Sequence, residues 1–466
     1  MKPSSPSVLQ ALFFLLASLP LSQMATFAAE DPQPEIVRLM PAPLQAGTPP
    51  TPANLTKIQI LLALDGRTVL GLGTTRPDKD ELENRLIMWG DEGPKDITQP
   101  LIELYGEKPW PQMRILRGSL SGSKVRLLIE IDRRVLEQKP GKTYHMVDLN
   151  AGKLVGKVDL APALEKAGFV NGGNIDSEFE VFGCGTAAPC TVLAWGKNKN
   201  NNSLLAIEGV PLRKVLTFGR VPVKNGVEEF VEAGGKRISR DFRHYPLEPR
   251  ATDATHVLFH VHEGNGSPDA IYEASLSDLR PVVDLRTSAP RLTQAAGIPE
   301  ALASVPLKSA EIRDFAAGER GVCASFKLFS EGKGGQVQCE GILEVEEGKV
   351  KLLTSNTKSR IGGGVQKQGN LFDCRYLTAL PSGGVVFEAI REEPAGNRRV
   401  LMVARAGTAP QCIFAENPYT GEGKPKWRFP GLTKSERYAS DECVALQVSV
   451  SGNDGWALVR LPGATK

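Results

Sequence analysis

Histidines are the residues whose spacing comes closest to a recognisable chemistry in this chain. His256, His260 and His262 occur within a short apolar run, so on a β-strand they would point to the same side. Neighbouring side chains on one face of a strand lie about 6.5–7 Å apart, a spacing at which imidazoles can share a transition metal such as zinc. A three-histidine site would leave a position for water and permit metal-assisted hydrolysis. The alternative is that these histidines are polar residues bonded to neighbouring strands.

Other patterns of catalysis are weaker. The chain has no Gly-x-Ser-x-Gly turn, and Gly362–Gly364 is not followed by the Lys-Ser/Thr of a phosphate-binding loop. The acidic stretch 78–83 lacks the order of a calcium loop, and the many carboxylates do not single out one glycosidase pair. The sequence therefore proposes no catalytic residue outside the histidine group, and whether the protein is an enzyme is left open.

Seven cysteines suit an oxidising compartment. Cys184 and Cys190 would staple one turn, and Cys323 and Cys339 would cross-link a hairpin. Of the remaining three, Cys412 with Cys443 is the favoured pair, which leaves Cys374 over. A nucleophilic or redox role is disfavoured, because the chain has no Cys-x-x-Cys and no cysteine beside a histidine. The cysteines therefore predict disulfide bonds.

The first residues predict export. Lys2 is followed by an apolar run over 8–21 and by the small residues of Thr26-Phe27-Ala28, as in a secretory signal peptide covering residues 1–28. We expect a secreted protein, extracellular or periplasmic, with no membrane span after signal removal. The 56 basic and 53 acidic residues are evenly mixed, for a net charge of +3, so nucleic acid is not an expected partner.

The elements that would position these residues come from a repeat. Seven strands begin with a valine, spaced 56 to 67 residues apart: Val69, Val125, Val192, Val257, Val322, Val385 and Val444. An apolar strand precedes each valine and a hairpin follows it, so each unit holds about four strands. Such units are the blades of a β-propeller, and the fold predicted is an all-β, seven-bladed propeller.

The chain ends fit the same architecture. The seventh unit stops after its third strand, while the segment 35–40 resembles the fourth strands of earlier units, so it would complete the last blade. The predicted organisation is one propeller domain over 29–466, with this closing strand and a Pro-rich connector over 41–52. Two insertions, 160–167 and 227–233, are predicted as helices. The stretch 293–308 is predicted as a loop.

Unit six carries a family resemblance. Its Gly384-Val385-Val386-Phe387-Glu388-Ala389, followed by 403–410 (Val-Ala-Arg-Ala-Gly-Thr-Ala-Pro), resembles the repeat of secreted bacterial tandem-repeat proteins of mostly uncharacterised function. The resemblance implies a surface or extracellular repeat protein and carries over no catalytic residue.

Three functions remain after the sequence is read. The leading prediction is an exported propeller that binds a protein, peptide or carbohydrate through its loops, since a rigid ring presents loops on a common face. The alternative is a hydrolase or lyase on a propeller scaffold, metal-dependent through His260 and His262. A structural role at the cell envelope is the third. No cofactor is implied apart from this transition metal.

Overall fold

The computed structural model describes the greater part of the chain beyond residue 34. The described residues are 35–40, 55–60, 68–78, 81–91, 93–105, 114–121, 124–132, 142–160, 162, 170–171, 174–175, 177–182, 191–198, 201–207, 212–224, 226–239, 247–250, 253–261, 269–295, 307–318, 320–332, 335–361, 364–394, 396–416, 427–428, 438–450 and 453–463. The predicted signal peptide, the connector over 41–52, His262 and the Cys184–Cys190 pair lie outside them. So does nearly all of the helix predicted over 160–167.

Strands dominate the described chain and follow one another in antiparallel meanders. After β1 (Ile36–Met40), sheet 1 consists of β2 (Leu55–Ile60), β3 (Val69–Asp78), β4 (Glu81–Gly90) and β5 (Gly93–Asp96). Sheet 2 consists of β6 (Arg114–Ser121), β7 (Lys124–Asp132), β8 (Lys142–Asn150) and β9 (Lys153–Asp159). A two-stranded ladder, β10 (Val170–Asn171) with β11 (Asn174–Ile175), follows.

The next two sheets differ in length. Sheet 3 has six strands: β12 (Ser177–Phe182), β13 (Thr191–Asn198), β14 (Asn201–Ile207), β15 (Leu212–Val223), β16 (Gly226–Ala233) and β17 (Lys236–Ser239). Sheet 4 has four: β18 (Leu247–Arg250), β19 (Asp253–Val261), β20 (Ala270–Ala274) and β21 (Leu279–Asp284).

The last three sheets continue the pattern. Sheet 5 consists of β22 (Leu307–Ala317), β23 (Gly321–Gly332), β24 (Gly335–Glu346), β25 (Lys349–Ile361) and β26 (Gly364–Gln368). Sheet 6 consists of β27 (Leu371–Ala379), β28 (Val385–Glu393), β29 (Gly396–Ala404) and β30 (Gln411–Ala415). Sheet 7 consists of β31 (Trp427–Arg428), β32 (Tyr438–Ala439), β33 (Cys443–Val450), β34 (Asn453–Arg460) and β1.

The repeated valines occupy equivalent places in these sheets. Six of the seven lie on the strand that directly follows the first strand of their sheet, and Val444 lies on β33, which pairs with both β31 and β32. The six whose burial is described are at most 2 % exposed: Val69, Val125, Val257, Val322, Val385 and Val444. A strand flanked on both sides and covered on both faces excludes water, which favours a β-branched aliphatic residue there.

Hydrophobic clusters lie between the faces of consecutive sheets. Representative pairs are Leu70 and Val125 (sheets 1 and 2), Val231 and Phe259 (3 and 4), Leu258 and Phe326 (4 and 5), Cys323 and Phe387 (5 and 6), and Leu401 and Val444 (6 and 7). A further cluster joins Trp456 of sheet 7 to Trp89 of sheet 1. The cores of the molecule therefore lie between its sheets, and one of them links the last sheet to the first.

The N-terminal strand belongs to the last sheet. β1 pairs antiparallel with β34, with Ile36 opposite Val459 and Met40 opposite Trp456. At the end of this ladder the Arg460 N–H donates to the Glu35 carbonyl at 2.9 Å, and the Arg460 guanidinium contacts the Glu35 carboxylate at 2.8 Å. Val37 packs on the cluster between sheets 7 and 1. Residues from the two ends of the described chain thus share one sheet.

Among the described residues, two short helices interrupt the meanders. Helix α1 (Gln99–Tyr105) follows sheet 1 and buries Leu101, and α2 (Leu285–Ala295) follows sheet 4. The carboxylate of Asp284 caps α2 by accepting the Arg286 N–H at 2.9 Å. Among the described residues no helix is long and apolar enough to cross a membrane.

The helix predicted over 227–233 is wrong, because this segment is strand β16. It pairs with β15 on one side and β17 on the other, and Phe230, Val231 and Ala233 are buried. Sheet pairing on both edges outweighs the weak helical pattern. The loop predicted over 293–308 is also wrong at both ends, since α2 continues to Ala295 and β22 begins at Leu307.

The disulfides predicted for the described cysteines do not form. Cys323 lies opposite Glu344 and Cys339 opposite Leu328, so they are five ladder positions, about 17 Å, apart. They also occupy different faces of sheet 5, one toward sheet 6 and the other toward sheet 4. Cys412 packs toward sheet 5 while Cys443 packs toward sheet 1, which separates that pair as well.

Candidate functional site

The predicted histidine group lies partly in strand β19. His256 and His260 alternate with Val257, Phe259 and Val261, which are buried toward sheet 3. The histidines therefore share the opposite face of the strand, which packs toward sheet 5. His256 and His260 are four residues apart, roughly 13 Å, too far to bind one metal ion together.

A buried carboxylate holds His260. Its Nε2 lies 3.0 Å from Oδ2 of Asp269, whose side chain is only 2 % exposed. The same carboxylate oxygen accepts the Ile312 N–H at 2.8 Å, and the Asp269 N–H donates to the Ala310 carbonyl at 2.9 Å. Asp269 thus fixes the His260 ring and ties sheet 4 to the first strand of sheet 5.

This arrangement bears on the metal prediction. Histidines that ligate metals usually donate a hydrogen bond from their second ring nitrogen to a carboxylate, which orients the ring. Asp269 supplies that carboxylate, so His260 would ligate through Nδ1. Within the described ranges no group of three or more His, Cys, Asp and Glu side chains is placed to hold a metal. His262 is outside those ranges, and the site stays a prediction.

A second feature, which the sequence does not indicate, lies on β27. Asp373 and Tyr376 have φ of 54° and 53°, in the left-handed region that residues with a side chain seldom adopt. The ladder between β27 and β28 shifts register at both places. Two such residues within four positions of one strand store strain of about 1–3 kcal/mol each. Strain of this kind is concentrated at functional sites.

Carboxylates of sheet 5 hold the unusual backbone of β27. Oε2 of Glu340 accepts the Asp373 N–H at 3.1 Å, and Oδ2 of Asp314 accepts the Leu377 N–H at 2.7 Å. The bulged strand therefore turns two of its N–H groups toward the preceding sheet instead of toward β28. Each finds a charged acceptor, which makes these hydrogen bonds stronger than neutral ones.

The bulges also display an ion pair. Arg375 Nε donates to Oδ1 of Asp373 at 2.7 Å, and these side chains are 46 % and 35 % exposed. Between them Cys374 is buried, and burial together with the charges of Glu340 and Asp373 raises its thiol pKa far above the usual value. The thiol is thus protonated and is not a nucleophile. The chemistry that β27 offers is polar recognition by Arg375, Asp373 and Tyr376, named here the β27 site.

First strands of consecutive sheets contact one another, as β18 does with β22 and β22 with β27, and β27 also contacts β32 of sheet 7. The β27 site thus lies on the strand of sheet 6 that contacts the first strand of sheet 5. Successive antiparallel meanders, each packed on the next with their first strands together, define the β-propeller architecture.

The chain is similar to several solved structures at low sequence identity. One is the β-propeller domain of the trilobed protease of Pyrococcus furiosus (10 % identity, 79 % of this chain and 98 % of that chain, TM-score 0.31). Another is the WD40 domain of SCAP from fission yeast (11 %, 88 % and 98 %, TM-score 0.30). A third is the acylaminoacyl peptidase of Pyrococcus horikoshii (9 %, 85 % and 58 %, TM-score 0.32), of which the match spans little more than half.

No protein-family model matches the chain, and no curated protein does. The resemblance to secreted bacterial repeat proteins therefore stays a prediction.

Proposed function

We propose that the chain is an exported, seven-bladed β-propeller whose single domain covers 29–466 and which acts as a binding protein. The seven repeated valines, the seven larger sheets among the described residues and the ladder between β1 and β34 support seven blades closed by the N-terminal strand. The cluster between sheets 7 and 1 supports the same ring. The signal-peptide pattern supports a secreted protein, extracellular or periplasmic.

The observation that carries the binding function is the left-handed backbone at Asp373 and Tyr376. Neither residue is glycine, so their conformation is held against its own strain by Glu340 and Asp314. A strand with ordinary pairing would avoid that strain. In the proposed function its benefit is to set the exposed Arg375–Asp373 pair on the first strand of sheet 6, where a ligand can meet it.

The ligand that fits the β27 site is polar. A guanidinium and a carboxylate offer donors and an acceptor side by side, as needed for the hydroxyl groups of a carbohydrate or the backbone of a peptide. The half-buried carboxylates of Glu340 and Asp314 nearby accept backbone N–H groups of β27. We therefore assign recognition to the exposed pair and a supporting role to Glu340 and Asp314.

Thermal unfolding of the mature protein tests this proposal. The probes are soluble neutral and acidic oligosaccharides and short neutral, acidic and basic peptides, each added to the wild type and to Arg375→Ala. We expect one class to raise the wild-type midpoint and to lose this effect in Arg375→Ala. Lys367→Ala, on exposed β26, is the control that keeps it. Equal shifts in all three proteins would refute the β27 site.

The second candidate function is a metal-dependent hydrolase or lyase. The Asp269–His260 pair favours it, because this is the outer support that a metal-ligating histidine needs. In this alternative His260 and His262 hold a transition metal that activates water. Metal analysis of the wild type and of His262→Ala is the test. Stoichiometric zinc, copper or iron that is lost in the variant would favour the metal-dependent enzyme over the binding protein. A metal-free wild type would refute the metal-dependent enzyme.

A further inference from the structure

Strand β9, the last strand of sheet 2, exposes an unusual amount of aliphatic surface. Leu154, Val155 and Val158 are 42 %, 66 % and 36 % exposed. They are half of the large hydrophobic residues that are exposed anywhere in the described chain. Single exposed aliphatic residues are ordinary, whereas a cluster on one strand indicates an interaction surface.

The position of β9 in its sheet does not require this exposure. The last strand of sheet 4, β21, buries Leu279 and Val283, and the last strand of sheet 6, β30, buries Ile413 and Phe414. The corresponding strand of sheet 1, β5, is Gly-Pro-Lys-Asp and carries no large aliphatic side chain. Among these last strands, β26 of sheet 5 exposes a single valine, Val365, whereas β9 exposes three large aliphatic residues.

The backbone of β9 presents Val155 outward. A tight turn with positive φ at Ala151 (50°) and Gly152 (76°) joins β8 to β9. The register of the ladder then shifts between Asp148 and Leu149, which leaves Val155 as the extra residue of a bulge. The bulge aims this side chain away from the sheet, which fits its exposure.

Two ammonium groups flank the aliphatic residues. Lys157 Nζ lies 4.9 Å from the centre of the Tyr105 ring, which stacks on His145 and bonds to its Nδ1 at 2.9 Å. Among the described residues neither Lys153 nor Lys157 forms an ion pair, while Asp148 on β8 is matched by Arg126 at 2.6 Å. Asp159 at the end of β9 is also exposed and lies 3.9 Å from His145 Nε2. The surface is therefore apolar with a net positive charge, since Lys153 and Lys157 outnumber Asp159, and Lys157 lies over an aromatic ring.

We propose that Lys153, Leu154, Val155, Lys157 and Val158, together the β9 surface, dock a segment of a partner protein that combines aliphatic and acidic residues. The aliphatic side chains match aliphatic residues of the segment, and the lysines match its carboxylates. A second copy of this chain would bring lysines against lysines. A lipid bilayer would leave the backbone groups at the edge of β9 without hydrogen bonds. The β9 surface goes beyond the β27 site and is independent of it.

Fluorescence anisotropy with the full mature protein tests the proposal. The probe is a short labelled peptide that alternates Glu and Leu, compared with a matched peptide that alternates Lys and Leu. We expect the acidic peptide to bind and the basic peptide to bind at least about tenfold more weakly. Val155→Asp should weaken the binding of the acidic peptide by about tenfold. Val365→Asp, at an exposed valine on β26, should leave binding unchanged.

Charge reversal makes the test independent of folding defects. The double variant Lys153→Glu/Lys157→Glu should exchange the preference, binding the basic peptide better than the acidic one. Equal affinity of the wild type for both peptides would overturn the proposal, as would wild-type affinity in Val155→Asp. Vesicles of phosphatidylglycerol that bind more tightly than the peptide, with loss in Val155→Asp, would overturn it in favour of a membrane surface. Thermal unfolding of each variant confirms that it is folded.

Discussion

At the scale of single residues, Asp269 has the most demanding environment. Its carboxylate is almost fully buried, and it is compensated by His260 and by the N–H of Ile312. A buried carboxylate needs such partners because desolvation penalises the charge. Removing the carboxylate would leave the buried Ile312 N–H and the partly buried His260 ring without this partner. Asp269 is therefore a structural residue whatever His260 does.

Asp269→Ala is expected to destabilise the protein by about 3–5 kcal/mol, because removing one member of a buried pair leaves the other without its partner. Lys367→Ala is the matched comparison, because it removes an exposed ion pair with Glu392 and should change stability by less than about 1 kcal/mol. Urea unfolding monitored by tryptophan fluorescence measures both. Similar midpoints for the two variants would contradict the structural role of Asp269.

Cys339 gives a residue-scale prediction about pH. Burial raises the pKa of its thiol from 9.0 to about 11 in the folded protein. Between these values the unfolded chain loses the proton and the folded chain keeps it, so stability falls as pH rises from about 9 to 11, by up to about 2–3 kcal/mol. Urea midpoints across this range should fall less in Cys339→Ala than in the wild type. Parallel curves would show that the thiol does not contribute.

At the scale of elements, sheets are joined by backbone groups as well as by apolar faces. Glu344 accepts the Gly384 N–H at 2.8 Å, and Asp441 accepts the Ser382 N–H at 2.9 Å, in each case across a sheet boundary. The turn between β16 and β17 also approaches sheet 4 closely. A Cβ added at Gly234 would lie 2.2 Å from the Asp278 nitrogen, so no side chain fits there.

Gly234 and Gly235 separate backbone strain from this close approach. Both have positive φ, 55° and 73°, but a Cβ at Gly235 would meet no atom within 4 Å. Gly235→Ala should cost about 1 kcal/mol for its conformation alone. Gly234→Ala should lose a further 1–3 kcal/mol or so, because sheets 3 and 4 must move apart. Equal thermal midpoints would mean that the contact between these turns does not contribute to stability.

At the scale of the whole molecule, sheet 7 joins residues from both ends of the described chain. The β1–β34 ladder and the cluster around Trp89 and Trp456 both lie where the last sheet meets the first. If the ring is closed in this way, the edge of sheet 7 and the face of sheet 1 depend on a strand of five residues. Loss of that strand would affect both sheets together.

Deletion of 35–40 from the mature protein is expected to lower stability by at least about 2 kcal/mol, from lost burial of Val37 and lost ladder hydrogen bonds. Limited proteolysis should then cut first within or beside β34. Deletion of 364–368, the outer strand β26, is the control, since every residue of that strand is exposed. An unchanged thermal midpoint in the first deletion would argue against closure by β1.

The strand content was predictable because alternating apolar residues and repeated valines report directly on burial. The β27 site was not, because nothing in Phe372-Asp373-Cys374-Arg375-Tyr376 distinguishes left-handed residues from extended ones. That conformation depends on Glu340 and Asp314, which are distant in sequence. The predicted disulfide between Cys323 and Cys339 was wrong for a related reason. The spacing of two cysteines in the sequence does not determine their positions along a ladder or the face of the sheet on which each lies. Asp269, the partner of His260, was also not predictable, because only the pairing of β19 with β20 brings the two side chains together.

The ion pair of Glu35 with Arg460 joins residues that are 425 positions apart, so β1 can pair only after β34 has been synthesised. β1 is synthesised long before β34. It therefore has no partner strand while the intervening sheets form. A chain truncated before β34 would leave β1 without its partner strand and would leave the edge of its last sheet unpaired.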